Sequence, residues 1–568
     1  MRSRSLACGA LIPIIAGACL LTASTWRVYS HTWDEPEHLA AGVELLDRGL
    51  YEYDTEHPPI ARVAIALGPY LAGAHSFGTS PPDGTWEGRD ILYSGGHYGR
   101  FLTLARLGAL PFLALLLLAT WLWSGRVLAG VPERLLAVAL LAAVPPVLGH
   151  AGLATLDVAA AATILLALYG LESWLASARS SDAVFFGLAA GVAIGTKFSA
   201  VPFITLSLLA LALAHGVLGW RAAHRPGASP EATPGAAHAL RTRAAGLALI
   251  ALGALVPLIL AYGLRAPNAA RVAQRFSWAV AYLLQLRGLD HWLGVLLAHL
   301  TWLPRALQDL ASGMVAVKAH NDTGHLSYLL GQVRTGGWWY FYLVALAVKT
   351  PLPLLAAGPA GLAWLARDGW RNRDVWRLAP ALLVLVILVF VSGFSRINIG
   401  IRHVLILYPF FALGAAWALA RAAQALARVR DRRLTAAGIV TLTALLTWQF
   451  GTLWAAYPDY LPYFNEAVAH PERVLVDSDL DWGQDLRRLE RRAAELRIAH
   501  LGLAYRGTAD LSQEPLPPFT NLPPRQPARG WVAIFALART RDPRDYAWLD
   551  AYRPLERIGK SVDLYYIP

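Results

Sequence analysis

Residues 101–124 read FLTLARLGALPFLALLLLATWLWS, and from Leu107 to Trp123 they carry no charge at all. A run of this length spans the roughly 30 Å of a bilayer's hydrocarbon. With no water there to satisfy backbone groups, it must be helical. Similar apolar runs lie near 6–26, 133–150, 158–177, 184–197, 200–219, 244–264, 338–366, 378–394, 404–420 and 434–455. The chain therefore reads as a multi-pass α-helical membrane protein with about eleven transmembrane helices. Its composition agrees: 56% of the 568 residues are hydrophobic and only 15% charged, against about 25% charged in a soluble protein.

A net charge of +12 would suggest nucleic acid in a soluble chain. Here the arginines fall mainly in short loops between the runs. One set of loops holds Arg126, Arg134, Arg179, Arg221, Arg225, Arg241, Arg243, Arg367, Arg371, Arg373 and Arg377, among others. The opposite short loops hold only Lys197, Arg396 and Arg402. By the positive-inside rule the N-terminus is cytoplasmic, and an odd number of spans leaves the C-terminus outside. Arg2 and Arg4 precede the first run, but no small-residue cleavage site follows it, so we read it as a retained anchor. Cys8 and Cys19 lie on that one run, about 16 Å apart if helical, too far to bond to each other. The wealth of Ala, Leu and Arg beside very few lysines suggests a GC-rich bacterial genome, and the chain is expected in the bacterial cytoplasmic membrane.

The membrane domain covers 1–455, with extracytoplasmic loops 27–100 and 265–337 and a cytoplasmic Pro/Gly/Ala linker at 220–243. Residues 456–568 change in composition and read as a small extracytoplasmic soluble α/β domain. Strands are expected at 474–476, 498–504, 531–536 and 561–567, with a charged helix over 483–496.

Titratable residues gather at the ends of the apolar runs on one face. Directly after the first run stands His31-Thr32-Trp33-Asp34-Glu35-Pro36-Glu37-His38, and Pro36 can open a helix whose dipole favours the two carboxylates. Tyr53-Asp54-Thr55-Glu56-His57-Pro58-Pro59-Ile60-Ala61-Arg62 forms a stiff turn presenting His57 and Arg62. Asp157 is the sole carboxylate in the turn after the third run, where a charge is costly unless paired or facing a wet cavity. Lys197, Arg402 and His403 break the arginine bias of their side, as a site for an anionic, lipid-linked phosphate would. The plain alternatives are helix caps for the acids and headgroup contacts for the bases. His320 and His325 are read as loop caps, and Asp477, Asp479, Asp481 and Asp485 as loop and cap acids.

These residues, in this order, resemble the GT-C fold glycosyltransferase family of protein O-mannosyltransferases and aminoarabinose lipid A transferases. The resemblance covers roughly residues 5–455. It rests on Asp34-Glu35, His57-Pro58-Pro59, Asp157, Gly191…Thr196-Lys197 and Gly400-Ile401-Arg402-His403…Tyr408-Pro409. The segment Asp477-Ser478-Asp479-Leu480-Asp481-Trp482-Gly483-Gln484-Asp485-Leu486 looks like a bacterial subgroup. The resemblance implies an enzyme moving a hexose or pentose from a polyprenyl-phosphate donor to an acceptor hydroxyl on protein, lipid or polysaccharide, with inversion. Asp34, Glu35 and Asp157 would be the catalytic carboxylates. His57, Arg62, Lys197, Arg402 and His403 would bind the donor phosphate, with His57 where the aminoarabinose branch has lysine. No cofactor is required, though the carboxylates would accept a divalent metal, and nucleic acid is not a partner. The competing readings are a transporter or flippase of a lipid-linked intermediate, disfavoured by the dearth of charge within the spans, and a non-enzymatic membrane protein that binds glycan through its tail.

Overall fold

In a computed structural model of the chain, residues 2–81, 83–224, 236–263 and 269–568 are described. Residues 225–235 of the expected linker lie outside them, as do the first residues of the 265–337 loop. The opening run becomes part of a helix from Tyr98 to Val127 that passes through Pro111. Proline is accepted there because it stands at the start of a helical segment, where its missing amide is not needed.

Among the described residues seven helices are long and apolar enough to cross a membrane: Gly9–Arg27, Tyr98–Val127, Asp157–Ser177, Ala200–Ala223, Thr242–Gly263, Val375–Phe394 and Arg432–Ala456. The chain is thus a multi-pass integral membrane protein. The other four expected spans are helical but altered. Val131–Ala142 and Pro145–Ala151 meet at 64°, because a residue before proline is pushed out of helical geometry. Ser180–Ile194 has only 15 residues. The 338–366 run breaks at Thr350-Pro351 into Phe341–Lys349 and Leu352–Asn372. Leu407–Leu426 is buried without interruption from Leu407 to Trp417 and serves as a central core helix.

Loop 27–100 folds into the helices Glu35–Arg48, Pro59–Leu71 and Gly84–Tyr93. The first two cross so closely at Gly42 that a Cβ there would overlap the Arg62 carbonyl oxygen. Their apolar faces (Leu39, Val43, Ile65) pack on Phe101 and Leu102. The second large loop forms three helices, Ala269–Gln285, Leu289–Ala298 and Arg305–Thr323, and an antiparallel hairpin, β1 Leu326–Leu329 with β2 Gln332–Thr335.

The tail carries a five-stranded sheet of β3 Leu501–Ala504, β4 Phe519–Asn521, β5 Gly530–Phe535, β6 Glu556–Ile558 and β7 Val562–Ile567, in the order β4-β3-β5-β7-β6. β3 runs parallel to β4 and β5, while β7 runs antiparallel to β5 and β6. Helix Leu486–Glu495 covers the sheet with Leu486, Leu489 and Ala493. The strand expected at 474–476 does not form. Pro471 opens a 3-10 turn instead, and Leu475 is spent on the membrane domain's apolar core.

The tail is sewn to the first loop. Ser30 N donates to Gln484 O at 3.0 Å, Trp33 N to Trp482 O at 3.1 Å, and Arg491 to Arg27 O at 3.0 Å. Both segments therefore lie on one side of the membrane, which requires an even number of crossings between them. Six of the seven qualifying helices follow the first, and ten of the eleven expected runs do, so both counts comply. The bent pair can be a full crossing only if one of the shorter or broken helices is one too.

Candidate active site

Asp34 is placed by the turn that precedes helix Glu35–Arg48, and Arg402 by a tight turn after Gly400. Gly400 has φ 140° and packs against Ser478, whose hydroxyl a Cβ would overlap. Ser478 Oγ donates to Ile399 O, and Asp479 Oδ1 accepts the Ile401 amide at 3.1 Å. Thus the tail motif holds the backbone on either side of Gly400. Arg402 Nη1 then donates to Asp34 Oδ2 at 2.5 Å and stands 3.7 Å from Asp157 Oδ2. Lys197 Nζ reaches the other oxygen, Asp157 Oδ1, at 2.6 Å. Four residues expected at the site, far apart in sequence, form one alternating chain of charge: Asp34, Arg402, Asp157, Lys197.

Exposure separates their roles. Asp157 is 2% exposed and Arg402 8%, whereas Asp34 keeps 22%. Burial works against the charge on Arg402, but Asp34 and Asp157 more than offset it and raise its pKa. Its guanidinium also lies 4.5 Å over the ring of Trp482. His403 is buried beside Lys197 and Arg402. Desolvation first, and then those two charges, hold its pKa well below the usual imidazole range. Asp157, Lys197, Arg402 and His403 line a cleft of about 290 Å³ whose walls continue as Ala160, Ala161, Ile164, Phe203 and Leu405. Asp157 Oδ2, Arg402 Nε and His403 Nε2 have no hydrogen-bond partner among the described residues.

Glu35 and Arg62 are placed differently from expectation. Glu35 turns away from Asp34 and forms a buried two-point ion pair with Arg106, both contacts at 2.8 Å. It also accepts the amides of Thr32 at 2.7 Å and Ala154 at 2.8 Å. Burial alone would raise its pKa, but Arg106 and these bonds lower it. Glu35 is a fixed anion that braces the loop. Arg62 is fully buried and paired with Asp54, and it donates to Tyr51 Oη at 3.0 Å and Asp54 O at 2.7 Å. With its donors turned inward it holds the Pro-Pro turn and offers nothing to a phosphate. His57 is bound through Nδ1 to Asp54 at 2.9 Å and remains about one-third exposed.

Several residues at the site carry no signal in their local sequence. Lys349 is fully buried at the break after Phe341–Lys349, where it donates to Asp479 O at 2.6 Å and Leu461 O at 2.9 Å. His150 stands edge-on to Trp482 at 6.1 Å. Asp481 accepts the Leu537 amide in the first turn of Ala536–Arg541 at 2.7 Å, while Asp485 accepts the Ser561 hydroxyl of the β6–β7 turn at 2.8 Å and pairs with Arg488 at 3.0 Å. Trp482, Asp479 and Ser478 do more than that, since they build the floor under Arg402. Among the described residues no group of three or more His, Cys, Asp or Glu side chains converges as a metal site.

Chemically, a half-open carboxylate beside a guanidinium can take a proton from a hydroxyl. The lysine and guanidinium over a cleft with apolar walls can hold an anion that carries a hydrocarbon tail.

No family model matches the chain, and no curated protein does. Among solved structures it is similar to ArnT from Cupriavidus metallidurans bound to undecaprenyl phosphate, with TM-score 0.48 and 15% identity over 98% of each chain. The apo state of that protein gives 0.47 and 14%, again over 98% of each. It is also similar to the archaeal oligosaccharyltransferase AglB from Archaeoglobus fulgidus, in complex with an inhibitory peptide and a dolichol-phosphate. There the TM-score is 0.41 and the identity 14%, over 78% of this chain and 55% of that one. The chain thus spans about half the length of that oligosaccharyltransferase.

Proposed function

We propose that the protein is a membrane glycosyltransferase moving a sugar from a polyprenyl-phosphate donor to an acceptor hydroxyl, on the extracytoplasmic face of a bacterial cytoplasmic membrane. One observation carries the reading. The Arg402 guanidinium is shared between a half-open carboxylate, Asp34, and a buried one, Asp157, at the head of a cleft with apolar walls. Asp34 takes the acceptor's proton as its oxygen attacks the anomeric carbon. The bond from that carbon to the phosphate oxygen breaks on the opposite side, which inverts the centre. The lipid phosphate leaves with the electron pair, and Lys197 and Arg402 stabilise the charge that develops on it. Asp157 holds both cations without touching the reacting atoms. Glu35 and Arg62 are structural in this scheme. No metal ion is needed, because Arg402 already bridges the two carboxylates that would hold one.

The test is Asp34→Asn in vesicles containing the purified protein and polyprenyl-phosphate sugar. Transfer should disappear while insertion, melting temperature and donor binding stay as in the unmodified protein. Retained turnover would remove Asp34 from the role of base.

A further inference from the structure

Helix Leu486–Glu495 covers the tail's sheet and also rests on the start of the first loop. Arg487 N donates to Ser30 Oγ at 2.8 Å and its Nη1 to Trp26 O at 3.3 Å, while Arg491 reaches Arg27 O. Glu490 stands between these two arginines in sequence. It is 7% exposed, and its Oε1 has no hydrogen-bond partner among the described residues. Its carboxyl lies within hydrogen-bond reach of the Glu514 carboxyl, which the tail's β3–β4 connection carries. Glu514 Oε1 in turn accepts the hydroxyl of Tyr93, at the end of helix Gly84–Tyr93 in the first loop. Tyr93 stacks on Tyr98 at 4.7 Å, and Tyr98 Oη lies 2.9 Å from His31 Nδ1. A carboxyl pair thus sits in the seam that joins the tail to the loop bearing Asp34.

Two carboxylates in contact and out of water cannot both keep a charge, so the pair holds one proton. The Tyr93 hydroxyl favours the charge on Glu514, which leaves the proton on Glu490. Burial, and then Glu514, push the Glu490 pKa up to about 8 against the pull of Arg487 and Arg491. Both arginines are turned to backbone oxygens of the first loop. From the other elements Tyr93, Tyr98 and Tyr505 face the pair. Burial raises the pKa of Tyr93 and Tyr505, so neither titrates with it. Once the tail lifts off, water reaches Glu490 and its pKa returns to about 4.3. The docked state therefore binds the extra proton between about pH 4 and 8, and docking weakens as pH rises through that range.

We propose that Glu490 and Glu514 form a proton-operated latch between the tail and the first loop, closed while they share a proton and loosened when it is lost. The same seam holds the Trp33 amide on Trp482 O, so the latch sets how firmly Asp34 is brought to Arg402. It concerns docking alone and does not depend on the transferase reading.

The experiment follows hydrogen exchange of the full-length protein in nanodiscs from pH 5 to 9, in peptides covering 27–33 and 482–491. Unmodified protein is compared with Glu490→Gln at each pH, so that intrinsic exchange and every other titrating group cancel. Exchange in the unmodified protein should outpace that of Glu490→Gln by a factor that grows with pH. The growth should reach up to about tenfold per pH unit and level off above about pH 8. Glu514→Gln, which takes away the like charge, should abolish that growth as well. A ratio that stays constant with pH, or a growth that survives Glu514→Gln, overturns the proposal. So does loss of protection in both variants at pH 5, which would make the carboxyl pair a fixed bond rather than a latch.

Discussion

Trp482 touches Arg402 and the residue that precedes its partner Asp34. Its ring lies 4.5 Å under the Arg402 guanidinium, and its carbonyl oxygen accepts the amide of Trp33, the residue before Asp34. One tail residue thus sets where the guanidinium sits and where the carboxylate's backbone starts. The tail is part of the candidate site rather than an appendage to it.

Trp482→Phe keeps the backbone bond to Trp33 but weakens the attraction between ring and cation. That attraction is worth about 0.5–2 kcal/mol, so transfer should slow by roughly 2- to 30-fold, while the cavity left at this buried position lowers the melting temperature. Initial rates beside thermal unfolding check this. An unchanged rate would mean that Asp34 and Asp157 orient Arg402 unaided.

Glu35→Gln should act on stability. It leaves Arg106, which is fully buried, without its counter-charge, and breaking a buried pair in this way costs about 3–5 kcal/mol. Thermal unfolding in detergent should show a clear drop, against almost none for Asp34→Asn. The reverse order would exchange the roles assigned to these neighbours.

Asp477 gives a pH dependence. Burial, with Asp34 and Asp479 adding to it and Arg402 opposing, pushes its pKa up to about 6, from about 3.9 in an unfolded chain. Between those values the folded state binds the extra proton, so this group's contribution to stability falls as pH rises from about 4 to 6. Asp477→Asn should flatten this trend, measured as melting temperature across pH 4 to 8.

Ending the chain after Tyr457 removes the two carbonyl oxygens that receive Lys349 and the groups that hold Ile399, Ile401, Ser30 and Trp33. Donor binding should be lost together with acceptor binding, read by retention of labelled polyprenyl phosphate in vesicles. A truncated protein that still bound donor would show that the membrane helices build the donor cleft alone.

Much of this was legible in the chain. Charges at the ends of apolar runs must share the interface or a wet cavity, and that places Asp34, Asp157, Lys197, Arg402 and His403 on one face. What pairs with what was not legible. Arg106 stands alone in an otherwise apolar run, and nothing local reveals that it claims Glu35. Arg62 likewise looks available until Asp54 and Tyr51 close around it. Lys349 lies within a run read as one span, and only the break at Thr350-Pro351 lets it reach Leu461 O and Asp479 O. Val474-Leu475-Val476 has the residues of a strand, but core packing took them first. Local pattern reports which groups reach the interface, while distant partners decide which of them stay free.

The stitching of residues 27–33 to 482–491 also bears on biogenesis. The loop bearing Asp34 is made before every membrane-spanning helix but the first, yet its hydrogen-bond partners at 482–491 follow them all. A partly inserted chain therefore holds every helix of the donor cleft while lacking the floor that orients Arg402. The charge chain at Arg402 is therefore complete only once the segment carrying residues 478–491 has been made and has folded against the first loop.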